Sequence, residues 1–165
     1  MNNKVSNYIQ KLEQLQDFII ANNCKENVSG EKNTLVNNEA FPIKHSFSDQ
    51  LYMRQMKMPS GSLIVSAMHH TDHFWFLMTG RILVTTNGET IEHIAPCFEK
   101  SLKGAKRLIE CIEECVFINV HKNPTNTRKI KEIEQSLYSF TIEAAPVIPG
   151  VFKAKCITNL GSCWE

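Results

Sequence analysis

The stretch Gly61-Ser62-Leu63-Ile64-Val65-Ser66-Ala67-Met68-His69-His70-Thr71-Asp72-His73-Phe74-Trp75-Phe76-Leu77-Met78-Thr79-Gly80 sets three of the chain's six histidines between two glycines. Its flanks are apolar and β-prone. Ser62 to Met68 and Phe74 to Met78 read as strands, and Thr79-Gly80 as a corner. Neighbouring residues on a strand point to opposite faces. His69 and His73 are therefore the candidates for an interior site, and His70 points away from it. Asp72 is placed to cap the turn or to orient a histidine.

Outward from this centre, Leu51 to Met58 alternates loosely before the turn at Pro59-Ser60-Gly61. Arg81 to Thr86 follows the corner, and Asn87-Gly88 is a two-residue hairpin signal. Thr90 to Ile94, Arg107 to Cys111 and Val116 to His121 complete the strands. Many short strands at close spacing indicate a β-sandwich or barrel. Upstream, Val5, Tyr8, Ile9, Leu12, Leu15, Phe18 and Ile19 recur at helical spacing, a helix of about four turns that must dock on something. Its own barrel is the default, and a second copy of the chain is the alternative. Downstream, Arg128 to Tyr138 puts Ile130, Ile133 and Leu137 on one helical face. The chain thus divides into an amphipathic helix and mobile polar linker (1–40), an all-β barrel with its following helix (41–138), and a tail (139–165). The tail carries Pro146, Pro149-Gly150 and Trp164 and packs on the barrel or on a partner subunit.

A chain of 165 residues suits one domain with a real core. A net charge of +1 makes no global case for a nucleic-acid polymer or a membrane as partner. No run approaches membrane-spanning length, and the N-terminus leads into a polar segment, so a cytoplasmic location is expected. There the six cysteines, Cys24, Cys97, Cys111, Cys115, Cys156 and Cys163, stay reduced and pack as small hydrophobes. They form no Cys-x-x-Cys pair, and nothing marks Cys97 or Cys111 as an activated nucleophile. Gly-x-Ser-x-Gly, phosphate-loop and dinucleotide fingerprints are absent. Lys100, Lys103, Lys106 and Arg107 form one basic cluster, and Lys122, Arg128, Lys129 and Lys131 another. A solvated surface accounts for both; an anion-binding rim is the alternative.

Gly61, Ala67, His69, His73 and Gly80 fall in register with the first motif of the cupin superfamily, whose key positions are Gly, His, His, Glu and Gly. Both glycines and the second histidine match; Ala67 replaces the first histidine and His73 the glutamate. Leu102-Lys103-Gly104-Ala105-Lys106-Arg107 resembles the second motif, with Arg107 where a third histidine would stand. From Leu51 to about Tyr138 the chain also resembles small cupin-like proteins of tailed phages and prophages. The shared features are His69-His70-Thr71-Asp72-His73, the step from Gly104 to Arg107, and a strand ending in His121 before a polar turn and helix. The resemblance implies a single cupin jelly-roll barrel, a phage origin with the host cytoplasm as location, and a homodimer. It brings no defined activity.

Several functions follow from these residues. In the first, Arg107 is an anion clamp with His69, His73 and His121 around it and an aromatic wall from Phe74, Trp75 or Phe76. That pocket takes a small anionic ligand such as a sugar phosphate or nucleotide, for instance a host signalling nucleotide to be sequestered. In the second, His69, His73 and His121 hold zinc or iron in a metal-dependent enzyme. His121 would reach the site because its strand follows the Arg107 strand, the two being neighbours across a hairpin. In the third, the histidines are satisfied core groups, Arg107 pairs with Glu110 or Glu92, and the protein is a structural or virion-associated interaction partner.

Overall fold

The computed structural model describes residues 3–21 and 41–139. The expected linker, the tail beyond Ser139, and Cys24, Cys156, Cys163 and Trp164 lie outside the described residues. The elements in order are α1 (Asn3–Ala21), β1 (Ile43–Ser48), β2 (Leu51–Met58), β3 (Leu63–Val65), β4 (Met68–His69) and β5 (His73–Thr79). They continue with β6 (Arg81–Thr86), β7 (Glu89–Ile94), β8 (Cys97–Ser101), β9 (Arg107–Cys111), β10 (Cys115–Lys122), α2 (Ile130–Leu137) and β11 (Tyr138–Ser139). One sheet runs β1-β2-β10-β5-β8, a second runs β3-β9-β6-β7, and β11 pairs with β4. All pairings are antiparallel. The chain passes from one large sheet to the other between β2 and β3, β3 and β5 (by way of β4), β5 and β6, β7 and β8, β8 and β9, and β9 and β10. This interleaving of two antiparallel sheets is a jelly roll, as the resemblance implies.

Period-2 alternation fixes which side chains enter the barrel. From the five-stranded sheet come Met56, Met58, Trp75, Leu77, Cys115 and Phe117, and from the four-stranded sheet Ile64, Ile82, Val84, Ile109 and Cys111; with Phe41 they form one buried apolar cluster. Asn87 and Gly88 both take positive φ (54° and 87°), the geometry that a two-residue hairpin requires, between paired Thr86 and Glu89. Gly80 turns the chain between sheets at φ +81°, and a Cβ there would lie 2.3 Å from the Glu114 carbonyl oxygen. Both the turn and the close approach require glycine.

Helix α1 docks on its own barrel. Tyr8, Ile9, Leu12 and Leu15 pack with Leu108, Leu63 and Val65, the outward side chains of β9 and β3. The Tyr8 hydroxyl donates to the Thr85 carbonyl. Beneath the helix Lys106 is buried, not part of a solvated basic cluster: its Nζ donates to Gln16 Oε1 at 3.1 Å. Burial lowers its pKa, against the pull of Glu13 and Asp17.

Three local expectations change. Ser62 to Met68 is not one strand: Ser66 exchanges bonds with Arg107 (Ser66 N to Arg107 O and Arg107 N to Ser66 Oγ, each 2.8 Å), which ends β3, and the chain then turns to pair as β4 with β11. Strands β1 and β8 carry no strong sequence signal because both are edges of the five-stranded sheet, polar at Lys44, Ser46, Glu99 and Lys100. Strands β9 and β10 do not form a hairpin, since they belong to opposite sheets. Arg107 and His121 therefore face the interior from opposite walls.

Candidate metal centre

The barrel interior changes character along its length. Beyond the apolar cluster, the same alternation brings polar side chains inward: Tyr52 and Arg54 follow Met56 and Met58 on β2, His73 precedes Trp75 on β5, and Asn119 and His121 follow Phe117 on β10. His69 enters from β4. The sequence-predicted His69, His73 and His121 meet here, all buried, with one candidate ligand nitrogen from each lying within 4.8 Å of the others. Their ring centroids are 4.0 Å apart for His69–His73, 4.4 Å for His73–His121 and 5.4 Å for His69–His121.

Burial keeps all three imidazoles neutral. The pKa of His73 is lowered to about 4, by burial first, with Arg107 adding to the effect; the Thr71 carbonyl and the Asn119 side chain pull the other way, although neither makes a well-directed bond to Nδ1. His121 is lowered to about 3, by burial and then by His73 and Arg54. His69 is pushed down furthest, by burial and then by His73, His121, Arg107 and Arg54. Nδ1 of each of the three is buried without a hydrogen-bond partner among the described residues. Buried polar atoms are normally partnered, so three unpartnered nitrogens on three neighbouring imidazoles fit a cation. Three neutral imidazoles are a donor set that zinc or ferrous iron accepts.

Arg107 starts β9 and reaches across the interior, where its Nη1 donates to Ser101 Oγ on β8 at 2.8 Å. Burial lowers its pKa, opposed by Glu99 and Tyr8. No carboxylate among the described residues lies within 4.0 Å of it. Glu92 pairs instead with Arg81 at 3.3 Å, and Glu110 sits at the opposite parity of β9, on the outer face. Trp75 lies one inward step from His73 within the apolar cluster, stacked on Phe117 (5.2 Å) and edge-on to His93 (5.0 Å). Phe74 and Phe76 do not wall the interior, because the parity of β5 turns them outward.

The other sequence candidates find structural employment. His70 is exposed, its Nδ1 3.2 Å from the Ser136 carbonyl. Asp72 accepts from the Lys103 backbone N–H and pairs with Lys100, each at 2.9 Å, and the Lys100 contact is the chief reason its pKa is lowered. His45 Nδ1 lies 2.8 Å from the Tyr52 hydroxyl. Cys97, Cys111 and Cys115 are free thiols whose pKa values burial raises, so none is an activated thiolate.

Three participants were not singled out from the sequence. Arg54 was legible in principle, since alternation from Met58 back to Tyr52 puts it inside. Ser101 sits on an edge strand without pattern. Tyr138 is brought in by tertiary structure alone: β11 pairs it with His69, while α2 anchors it through Ile133 and Leu137, which cluster with Tyr52.

Fold and interior together define the class: a jelly-roll barrel with a histidine cluster at one end. No protein-family model matches the sequence, and no curated protein does. Among solved structures, the chain is similar to a cupin-2 domain protein from Shewanella frigidimarina, at 15% identity over 52% of this chain and 83% of that one, TM-score 0.45. It is also similar to KdgF from Halomonas sp., at 12% identity over 52% and 82%, TM-score 0.46. A third is an RmlC-like cupin with a double-stranded β-helix fold from Methanocaldococcus jannaschii, at 13% identity over 54% and 86%, TM-score 0.46. Among the described residues no helix is long and apolar enough to cross a membrane.

Proposed function

We propose that the protein is a phage-type cupin that binds a small anionic ligand at a transition-metal ion, zinc or ferrous iron, held by His69, His73 and His121. The convergence of three buried, neutral imidazoles carries this reading. Three protein ligands leave coordination positions open, and a metal there acts as a Lewis acid towards whatever fills them. Arg107 would repel a bare divalent ion. An anion between the two removes that conflict, because it completes the metal's coordination and pairs with a guanidinium that has no carboxylate within 4.0 Å among the described residues. A sugar phosphate or a nucleotide, including a host signalling nucleotide, fits this chemistry, and the host cytoplasm is the location a phage origin implies.

Elemental analysis of protein purified without a histidine tag tests the metal. We expect close to one equivalent in the wild type and loss in His69→Ala. Metal well below one equivalent, and equal in the two proteins, sinks the reading. Thermal-shift screening of nucleotides and sugar phosphates tests the anion. Stabilisation of the wild type and not of Arg107→Ala is expected, and a screen in which no anion stabilises the wild type counts against it.

A metal-free anion pocket is the second reading, favoured by Arg107 alone; it predicts the same thermal shifts with no metal in the protein. Assembly as a homodimer is supported by the exposed Phe74, Met78 and Phe98 on the outer face of the five-stranded sheet, beside edge strand β8. A second copy covering this face would make Phe98→Glu monomeric by light scattering, whereas an unchanged mass would remove the support.

A further inference from the structure

We propose that Tyr138 is a positioning residue that commits His121 to present Nδ1, and not Nε2, to the metal. This rests on the metal reading above. Tyr138 Oη lies 3.2 Å from His121 Nε2, while His121 Nδ1 is buried without a partner. An imidazole has two nitrogens, and which one ligates is set by the bond the other makes. If the hydroxyl accepts from Nε2–H, the lone pair is left on the unpartnered Nδ1. The opposite arrangement, with the hydroxyl donating to a bare Nε2, puts an N–H on Nδ1 where no acceptor meets it. The first arrangement frees the Tyr138 O–H for another acceptor and the second strands an N–H on Nδ1; only the first offers a cation a lone pair there.

The hydroxyl is fixed in place by the backbone. Tyr138 pairs with His69 across β11 and β4, the His70 N–H donates to the Leu137 carbonyl at 2.8 Å, and α2 is anchored by Ile133 and Leu137. The Tyr138 ring stands edge-on to two of the three ligands, 4.9 Å from His69 at 82° and 5.6 Å from His121 at 87°. One buried side chain thus restrains two ligands at once and chooses the donor atom of one. His69 likewise carries an unpartnered Nδ1, so the same nitrogen is on offer from both.

Long-range proton–nitrogen correlation of the histidine rings in nitrogen-15-labelled protein tests this, without and with one equivalent of zinc. We expect His121 to carry its proton on Nε2 in the metal-free wild type. On adding zinc, Nδ1 should move to the metal-bound range while Nε2 keeps its proton. In Tyr138→Phe the His121 ring should become a mixture of tautomers, and zinc affinity should fall about 10–100-fold, the usual effect of removing a partner behind a ligand. A purely structural role for the hydroxyl would lower stability and leave the tautomer as it was, and that result overturns the inference. A wild-type His121 protonated on Nδ1 does the same. Zinc bound through His121 Nε2 overturns this inference and leaves the metal reading standing. Zinc that moves none of the three rings overturns both.

Discussion

The two halves of the barrel interior are built from the same strands and obey the same alternation, yet they do opposite things. Around Trp75, Leu77, Ile82 and Phe117 the inward side chains are apolar and packed, with His93 against Trp75 the exception. Two to four residues further along the same strands, His73, His121 and Arg54 are inward, and buried nitrogens of the histidines lack partners. The first half stabilises the fold. The second bears a desolvation cost that a bound species would offset. Strand geometry therefore does not distinguish core from site; the choice of side chain at equivalent inward positions does.

Truncating the apolar half should have the largest effect. Leu77 is fully buried, and Leu77→Ala is expected to cost about 2–5 kcal/mol by chemical denaturation, the range for a core leucine. A loss below about 1 kcal/mol would mean that this end is not the source of stability. Acid should act on the other half. The histidines have an ordinary pKa of 6.5, lowered in the fold to about 4 at His73 and about 3 at His121. Below pH 6.5 the unfolded chain therefore binds protons that the folded chain does not, and stability falls as pH drops from about 6.5 towards 4. For His73 alone this is on the order of 3 kcal/mol. The slope should flatten in His69→Leu/His73→Leu/His121→Leu, and a slope that survives there would have to come from other groups.

Zinc should reverse the imbalance between the halves. At 100 times its Kd, a ligand that binds only the folded state adds about 2.7 kcal/mol. A rise in Tm is expected for the wild type and for Leu77→Ala, and none for His73→Gln; a similar rise in His73→Gln would place the metal elsewhere. The smallest effect tests a position remote from both halves. A Cβ at Gly88 would meet nothing within 4 Å, but φ is +87°, so Gly88→Ala should cost only the backbone strain, about 1–2 kcal/mol. A larger loss would show that the β6–β7 turn packs on something.

Much of the fold was legible in the sequence. Hairpin and corner glycines, the α1 periodicity and most interior strands are local properties, written in residues that must adopt particular φ or face a particular way. Strands β1 and β8 were not legible because an edge strand needs pairing on one side only and tolerates polar residues on both faces. The histidines were legible as candidates because His69 and His73 flank a tight segment. Trp75 has the composition of a ligand platform, yet its ring is packed between Phe117 and His93. Lys106 has the composition of a surface residue and is covered by α1.

The sequence by itself determined the alternation that puts His73 and His121 inside, the glycines at Gly80 and Gly88, and the amphipathic faces of both helices, because each depends on a few neighbouring residues. Tertiary structure alone decided that Arg107 and His121 enter the interior from opposite sheets, that Lys106 is buried, and that Tyr138 meets His69 and His121. Those contacts join residues far apart in the chain, and no local periodicity encodes which strand of a jelly roll lies opposite which.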